Sequence, residues 1–222
     1  NEVRSTPVVA DGKVLVGNHE SGELQAFDLV TGELLWQEQA PNWVHSEMIY
    51  VDGRIFVGFG NRYAGEGPEG YRGSDESGVL SLDPDSGAIL WRYDTPGQVM
   101  PTRVVVNGAV WAVTGDRRLY KLAPASGQEL DVVETGHIVS MSSPSERDGV
   151  LFFGGGSPHP YTFFAYDTGA DAYAWQREFP EFNRGLDDVP PAVDEGVVVT
   201  TANRALLPGP AGFREEHTIV AM

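Results

Sequence analysis

The chain has 222 residues and a formal net charge of −17, from 15 basic and 32 acidic residues. So negative a chain argues against nucleic acid as a partner and against direct membrane insertion, because phosphate binding needs clustered cations and no apolar stretch could span a bilayer. With no cysteine, the sequence excludes disulfide bonds, thiolate nucleophiles and cysteine-ligated zinc.

A two-residue turn motif recurs five times along the chain. In each copy Asp, Asn or Glu precedes a glycine, and an apolar run follows. The five glycines are Gly12, Gly53, Gly108, Gly149 and Gly196, at intervals of 41, 55, 41 and 47 residues. The pattern predicts tight β-hairpins, because glycine accepts a positive φ without steric cost.

A second motif alternates with the first and leads from a turn glycine towards an apolar strand, usually with a tryptophan. Its glycines are Gly32, Gly87, Gly127 and Gly169, at intervals of 55, 40 and 42 residues. Both motifs therefore keep a period of about 40 residues, which is typical of repeat architectures.

Each repeat is predicted to contain four short strands, at about 6–10, 13–18, 23–28 and 33–39 in the first copy. Such a unit cannot bury both faces alone, and copies stacked radially form a β-propeller. We predict an all-β propeller with blades at 1–41, 42–97, 98–137, 138–180 and 181–222.

The fifth predicted blade ends after its third strand, at 218–222. We therefore expect part of a seven- or eight-bladed propeller, or a chain completed by another copy. Open blade faces and a free strand edge would favour self-association through the propeller ends. An isolated piece without a function of its own is a further alternative.

Residues 24–36, LQAFDLVTGELLW, and 79–91, VLSLDPDSGAILW, are the clearest copies of the second motif. They resemble the pyrroloquinoline-quinone-like repeat of quinoprotein-type β-propellers, and the resemblance extends over essentially the whole chain. It implies the propeller fold and favours a periplasmic or extracellular location. Dehydrogenases, outer-membrane assembly lipoproteins and sensor domains all share this repeat, so the resemblance does not choose among them.

The dehydrogenases that carry this repeat hold pyrroloquinoline quinone (PQQ) and calcium beside a catalytic aspartate, often with a vicinal cysteine pair. Asp187, Asp188 and Trp43 offer carboxylates and a ring, yet no motif of the catalytic blades matches. We therefore expect no catalytic residue, metal site or cofactor. The expected function is a non-catalytic scaffold, a sensor or assembly module that binds a protein or small ligand. A fragment of a PQQ-dependent dehydrogenase with calcium is the alternative.

Three insertions lengthen the repeats, at 61–77, 155–160 and 203–216, each between a second and a third strand. In an up-and-down blade these connections share a face with the crossings between blades, and loops on a rigid scaffold are common binding sites. The alternative is a merely hydrated channel mouth whose residues vary freely. The predicted ligand-binding residues are Arg4, His45, Met100, Met141 and Asp188 at the mouth, with Arg62, Tyr63, Tyr71 and His159 from the insertions.

Three tryptophans occupy one repeated position, Trp36, Trp91 and Trp175, and are predicted to pack between blades. Asp131 takes this position in the third repeat, so that interface should be altered. Trp43 is expected to be exposed in a crossing loop.

Overall fold

The computed structural model of the chain describes residues 5–45, 47–61, 70–73, 75–100, 104–139, 143–183, 185–186, 189–205 and 215–222, with 203–205 and 215–217 described by their backbone alone. These residues form five antiparallel sheets, each with its strands in chain order, and no helix. The prediction of an all-β chain with a three-stranded fifth repeat is confirmed.

We call the sheets blades one to five. Their strands are, blade by blade, β1 Val8–Ala10, β2 Lys13–Gly17, β3 Glu23–Asp28 and β4 Leu34–Gln39; β5 Ile49–Val51, β6 Arg54–Phe59, β7 Gly78–Leu82 and β8 Ile89–Asp94; β9 Val104–Val106, β10 Ala109–Val113, β11 Arg118–Leu122 and β12 Glu129–Glu134; β13 Ser145–Arg147, β14 Val150–Gly154, β15 Tyr161–Asp167 and β16 Ala172–Phe179; β17 Ala192–Asp194, β18 Val197–Ala205 and β19 Glu215–Ala221. Each predicted blade range holds one sheet, and the blade boundaries within the crossings stay a prediction.

The first two strands of every blade are joined by a two-residue loop. Both loop residues have positive φ, as with Asp11 at 49° and Gly12 at 71° in blade one. Two successive left-handed residues make a type I′ turn, whose twist matches that of the flanking strands. The predicted hairpins are confirmed in all five blades.

In blades one, two and four the turn between third and fourth strands is capped by an aspartate, whereas blade three has Ala123 at this position. In blade one the Oδ1 of Asp28 accepts hydrogen bonds from the amides of Val30 and Thr31, at 2.9 and 2.7 Å. Asp83 and Asp167 accept the corresponding bonds in blades two and four. Hydrogen bonds to the charged form hold the pKa of both Asp28 and Asp83 below the usual value, chiefly from the amides of Thr31 and Val30 at Asp28 and chiefly from the hydroxyl of Ser86 at Asp83.

One residue of this turn is left-handed in each four-stranded blade. It is Gly32, Gly87 and Gly127 in blades one to three, at φ 72°, 74° and 68°. In blade four it is Asp171, at φ 50°, four residues after the capping aspartate. The sequence alignment on Gly169 is therefore wrong by two residues. Aspartate tolerates the left-handed region better than most side chains, which permits the substitution.

Neighbouring blades pack face to face through alternate residues of their strands. In β6, Ile55 and Val57 lie in the core shared with blade one, whereas Phe56 lies in the core shared with blade three. In β10, Val110 faces blade two and Trp111 faces blade four. A strand buried on both faces belongs to the middle of a stack, so the blades succeed one another in chain order.

Neighbouring blades come close at their first strands. β1 lies beside β5, and β13 lies beside β17. Ser145 in β13 donates a hydrogen bond to the carbonyl oxygen of Pro191, just before β17. Sheets that converge at one strand and diverge at the other are wedges, so the five blades fan out around an axis as in a propeller.

A β-bulge recurs between the third and fourth strands. The pairing shifts by one residue after Ala26, Ser81, Lys121 and Ala165, at the same place in each four-stranded blade. The partners across these four positions are Trp36, Trp91, Asp131 and Trp175. The bulge therefore gives the repeated tryptophan position one fixed geometry.

Trp36 and Trp91 each join their own blade to the next. The Nε1 of Trp36 donates to the carbonyl oxygen of Pro84 at 2.9 Å, and that of Trp91 donates to Pro124 at 2.9 Å. Both indoles are buried, at 7% and 8% exposed. Each indole thus donates a hydrogen bond to the backbone of the turn in the next blade, and its ring fills the space between the two blades.

The interface between blades three and four is built differently. With Asp131 at the tryptophan position, Lys121 reaches across to Asp171, with Nζ and Oδ1 2.6 Å apart. The same Nζ lies 5.0 Å from the ring centroid of Trp111. An ion pair and a cation–π contact replace the indole here.

The hairpin of blade five is longer than expected. Strand β18 extends to Ala205, and β19 begins at Glu215. The expected insertion at 203–216 is therefore too wide, and its ends belong to paired strands. The residues that continue the two strands, Asn203 to Ala205 and Glu215 to His217, pair with one another across the hairpin.

Candidate functional site on the loop-rich face

The loop-rich face contains the connections between second and third strands and the crossings between blades. The second-to-third connections at 60–77 and 155–160 are the long ones that the structure describes, with 62–69 and 74 outside the description. Up-and-down topology places both kinds of connection at the same end of the blades, opposite the Asp-Gly turns. The face is thus continuous across blade boundaries.

The insertion of blade two is fastened to blade three by its backbone. The amide of Arg72 donates to the carbonyl oxygen of Gly115 at 2.9 Å, and the amide of Gln98 donates to Arg72 at 3.0 Å. The amide of Gly115 donates to Gln98 at 2.9 Å, which closes a ring of three hydrogen bonds. Three separate loops therefore form one surface that spans two blades.

Small residues let these three loops approach so closely. A Cβ at Gly73 would lie 2.5 Å from the Cβ of Gln98, and one at Gly115 would lie 2.3 Å from the carbonyl oxygen of Arg72. Gly73 also has φ 74°, which strains any other residue. Gln98 itself is fully buried beneath the loops.

We call residues 70–73 of the blade-two insertion the anchored segment. Blade three contributes a buried carboxylate beside it. Asp116, 1% exposed, accepts hydrogen bonds from Thr114 and from the hydroxyl of Tyr120, the latter at 2.6 Å. Arg118 adds an ion pair at 3.5 Å. Burial, and then this carboxylate, raise the pKa of Tyr120 far above its usual value. Asp116 is engaged in holding its own loop and has little capacity left for an external cation.

An aromatic and histidine cluster lies between blades one and two. His19 is fully buried, and its ring centroid lies 5.0 Å from those of both Trp43 and His45. His19 follows β2, whereas Trp43 and His45 belong to the crossing before β5. The expectation that Trp43 is exposed is wrong, since it is half-buried against His19.

Blade four folds its insertion back onto its own crossing. The amide of Ile138 donates to Ser157 at 2.8 Å, and the amide of Gly156 donates to Ile138 at 2.7 Å. The Nδ1 of His137 lies 3.1 Å from the carbonyl oxygen of Gly156 and donates to it. This second fastened loop makes the face rigid at blade four as well.

Four of the sequence-predicted site residues lie within the described chain. His45 and Tyr71 are half-buried on the loop-rich face, and Met100 is fully buried. His159 is exposed, with Nε2 3.1 Å from the carbonyl oxygen of Pro180 at the end of the outer strand β16. The others lie outside the described residues: Arg4, Arg62, Tyr63, Met141 and Asp188.

The described members of the predicted set are therefore spread from the inner to the outer part of the face. His159 is held near the outer strand, whereas His45 stands just before the inner strand β5. The grouping into one pocket stays a prediction.

Sequence reasoning missed His19, Arg72 and Gln98. His19 lies in a short, uninserted loop, whereas the predicted residues were taken from the insertions and from the crossings at the channel mouth. The cluster of glycines at 70, 73 and 115 was the available sign of close loop packing, because crowded backbones favour residues without a Cβ.

The described residues offer no preformed metal site. They contain no group of three His, Asp or Glu side chains placed to hold a metal ion. Asp187 and Asp188 lie outside the described residues, and Asp116 is engaged by its neighbours. No step of chemistry is therefore assigned to PQQ. In the described part of the chain, no helix is long and apolar enough to cross a membrane.

The fold and the repeated turns define a β-propeller of pyrroloquinoline-quinone-like repeats. The family model described as outer membrane protein assembly factor BamB matches residues 1–67 and 58–155, and the chain belongs to this family. The first three copies of the second sequence motif, around Gly32, Gly87 and Gly127, lie within the matched residues.

Curated relatives share a modest identity with the chain. A tetrathionate hydrolase of Acidithiobacillus ferrooxidans is 26% identical over 211 residues, which cover 88% of this chain and 41% of the hydrolase. The assembly factor BamB of Nitrosomonas eutropha is 28% identical over 124 residues, covering 56% of this chain and 26% of that protein. The chain thus spans less than half the length of these relatives.

Solved propellers share the fold at lower identity. BamB from Moraxella catarrhalis superposes with a TM-score of 0.68 at 15% identity, covering 90% of this chain and 60% of that one. A quinohemoprotein alcohol dehydrogenase from Pseudomonas putida HK5 gives 0.66 at 14%, covering 97% and 38%. At such identities the likeness concerns the fold, which here occurs both in an assembly factor and in an enzyme.

Proposed function

We propose that this propeller is a non-catalytic scaffold that binds a protein partner through its loop-rich face. The observation that carries the proposal is the ring of backbone hydrogen bonds among Arg72, Gly115 and Gln98. It turns three loops into one preformed surface, and preformed surfaces lose little conformational entropy on binding. Membership of the BamB family supports an assembly role.

The partner class follows from the same reasoning. The family model is described as an outer membrane protein assembly factor, which supports a protein partner in the periplasm or at the inner side of an outer membrane. The charge of −17 disfavours anionic lipid and nucleic acid as the bound surface. We propose a protein rather than a small ligand as the partner, because the surface formed by the three fastened loops extends across two blades.

Site-specific photo-cross-linking tests the face. A photoreactive phenylalanine at position 71 reports on the loop-rich face, and one at the 91% exposed Val30 reports on the opposite face. Each chain is irradiated with detergent-solubilised outer membrane proteins of a Gram-negative bacterium. We expect a discrete adduct from position 71 that excess unlabelled chain removes, and none from position 30. Equal adducts from both positions, or none from either, would contradict the proposal.

Two glycine variants distinguish loss of the proposed binding surface from a general loss of stability. Gly73→Val forces the anchored segment off Gln98, whereas Gly12→Val strains a similar φ on the opposite face, where nothing lies within 4 Å of the new Cβ. We expect Gly73→Val to abolish the adduct from position 71 and Gly12→Val to keep it, with both chains folded by circular dichroism. Retention of the adduct in Gly73→Val would show that the anchored segment is not the binding surface.

The enzymatic alternatives have direct assays. If the scaffold proposal holds, PQQ with calcium gives no saturable shift in Tm, and tetrathionate is not consumed during incubation with the chain. A saturable shift would favour a quinoprotein dehydrogenase, and thiosulfate release from tetrathionate would favour a hydrolase like the relative from Acidithiobacillus ferrooxidans.

A further inference from the structure

A cavity of about 470 Å³ lies between the outer strands of blades two and three. Strand β8 contributes Tyr93 and Asp94, and Pro96 of the following crossing brings the cavity to the loop-rich face. Blade three contributes residues of β11 and β12, among them Tyr120 and Val132. Its volume lies within the range of small-ligand sites in proteins.

Blade two shows what fills the corresponding space at the preceding interface. Arg92 lies across from Leu80, one residue beyond the tryptophan position, and Val132 lies at the same place across from Tyr120. The guanidinium of Arg92 is 5.3 Å from the ring centroid of Phe59, in the core shared with blade one. Val132 packs in the core shared with blade two. Both side chains therefore face the preceding blade, and in blade three a short valine stands where blade two has an arginine.

Two carboxylates bind the guanidinium of Arg92. Its Nε lies 2.5 Å from the Oδ1 of Asp94, and its Nη2 lies 3.0 Å from the Oε1 of Glu76. Glu134 holds the position of Asp94 in blade three, because each lies across from the first residue of the third strand. Blade three thus repeats a carboxylate of this arrangement without repeating the arginine.

Carboxylates outnumber cations around the cavity. Its described lining contains Asp94, Glu129 and Glu134 against one cation, Arg118. Arg118 pairs with Glu134 at 2.8 Å and with the buried Asp116 at 3.5 Å, so two carboxylates already oppose its charge. The cavity therefore has an excess of negative charge, which attracts a cation.

Glu129 is the carboxylate best placed to receive that cation. It accepts a hydrogen bond from the hydroxyl of Tyr93, and among the described residues no arginine or lysine pairs with it. Burial, and then Glu129, raise the pKa of Tyr93 above its usual value, so the hydroxyl remains a donor. Glu129 is exposed at the rim, where a partner can reach it.

The wall of the cavity is aromatic and apolar. The rings of Tyr93 and Tyr120 meet edge to face, with centroids 5.6 Å apart, and Val132 packs in the same cluster. Aromatic rings attract cations, and the methylenes of a long cationic side chain pack on apolar surface. A guanidinium both pairs with carboxylates and stacks on rings, which a compact ammonium does less well. The lining therefore favours arginine.

We propose that this cavity binds an arginine side chain of the protein partner. The guanidinium pairs with Glu129 at the rim, and the methylenes lie against Tyr93 and Val132. The bound arginine takes at blade three the place that Arg92 takes at blade two. The inference rests on the proposed function for the nature of the partner, and it assigns that partner a basic residue.

Nα-acetyl-arginine amide is the probe, and Nα-acetyl-citrulline amide is the control of nearly equal shape without charge. Backbone-amide chemical shifts of the isotope-labelled chain, followed during titration, give the Kd. We expect saturable shifts in β8, β11 and β12 with the arginine derivative and none with the citrulline derivative. No saturable shift from arginine, or equal shifts from both compounds, would overturn the proposal. Tighter binding of Nα-acetyl-lysine amide would overturn the assignment to arginine.

Two variants with the same change of charge locate the site. Glu129→Gln removes the carboxylate at the rim and should raise the Kd about two- to fivefold, as for loss of one exposed ion pair. Glu33→Gln lies in an exposed turn on the opposite face and should leave the Kd unchanged. An unchanged Kd in Glu129→Gln, or an equal rise in both variants, would overturn the proposal.

Val132→Arg gives blade three the arginine of blade two. The new side chain fills the cavity from within, so the arginine derivative should no longer saturate the folded chain. Val30→Arg adds the same charge at a 91% exposed position and should keep the Kd. Circular dichroism checks that both variants are folded. Unchanged binding by folded Val132→Arg would place the arginine elsewhere and overturn the proposal.

The photo-adduct from position 71 separates this inference from the proposed function. We expect Val132→Arg to lower the yield of that adduct several-fold, because the partner loses its arginine site. Full yield in this variant would overturn the inference and leave the scaffold proposal intact. Binding of the arginine derivative by a chain that gives no adduct would contradict the proposed function, and with it a protein as the source of the arginine.

Discussion

The glycine in the turn between the third and fourth strands has a different structural role in blade one than in blade two. Gly32 and Gly87 hold equivalent places and nearly equal φ, 72° and 74°. Nothing lies within 4 Å of a Cβ built on Gly32, whereas one on Gly87 would be 2.5 Å from the ring of Trp36. The first glycine serves backbone geometry alone, and the second also admits an indole from the preceding blade.

Alanine substitutions at Gly32 and Gly87 distinguish the free-energy cost of backbone strain from the cost of displacing the packed indole. Gly32→Ala should lower the free energy of unfolding by about 1 kcal/mol through left-handed strain. Gly87→Ala should cost about 1–3 kcal/mol more, because the methyl group displaces a packed ring. Urea denaturation followed by circular dichroism measures both. Equal losses in the two variants would mean that the contact between Trp36 and Gly87 contributes nothing.

The capping aspartates make stability depend on pH. Hydrogen bonds from Ser86 hold the pKa of Asp83 below its usual value of 3.8. A depressed folded-state pKa gives stability that is fully present above the unfolded value and is lost as pH falls through the folded value. Asp83→Ala should therefore be less stable than the parent chain at pH 7, and the difference should shrink below about pH 4. Tm values measured from pH 7 to pH 2 test this, and a difference that does not change with pH would contradict it.

At the scale of elements, the blade interfaces differ in physical character. At the tryptophan position, buried indoles join blade one to two and blade two to three, whereas the ion pair of Lys121 and Asp171 stands beside the apolar core that blades three and four share. Asp171 is 44% exposed, so salt can screen the pair.

A double-mutant cycle measures that pair. Lys121→Ala and Asp171→Ala should couple by less than about 1 kcal/mol at low salt. The coupling should fall further in 1 M salt, while the loss caused by Trp36→Phe should not. Urea unfolding of the four chains at two salt concentrations gives the coupling energy. A coupling that is large and independent of salt would show a buried, unscreened pair instead.

Strands and turns were predictable where a local rule fixes them. The five Asp-Gly, Asn-Gly and Glu-Gly pairs require two left-handed residues, and only a few residue types accept that conformation. The sequence motif was misaligned in blade four, because Asp171 has the left-handed φ that glycine has in the other blades. Gly169, two residues earlier, was taken for the turn glycine. The extension of β18 to Ala205 was missed, because the residues at 203–205 have no strand pattern that distinguishes them from a loop.

The candidate site was less predictable, because it depends on contacts between loops distant in sequence. Nothing local links Arg72 to Gly115 or His19 to His45. Insertion length identified the face on which the long described loops lie, yet the residues that fasten these loops lie partly in short connections. Pairing across blades is a tertiary property, and the repeat period fixes only the order of the blades.

At the scale of the whole molecule, up-and-down blades packed about an axis bring the described parts of the insertions of blades two and four to one face. The same packing leaves the first face of blade one exposed, where Val9 is 61% and Leu34 is 51% exposed. These residues pair through Val14 and Phe27 into one apolar row across the sheet. The corresponding row of blade two, with Tyr50, Ile55 and Leu82, packs on blade one.

Spin-label distances test the wedge arrangement most directly, because the chain has no cysteine to compete with introduced ones. Cysteines replace three exposed turn residues at the outer edges of blades one, three and four, Val30, Ala125 and Ala170. Pulsed dipolar spectroscopy of the three pairs then gives a triangle. If the blades fan around an axis, the distance from position 30 to 170 is clearly shorter than the sum of the distances 30 to 125 and 125 to 170. Equality of the long distance with that sum would describe sheets stacked in a straight line, and would contradict the propeller together with its loop-rich face.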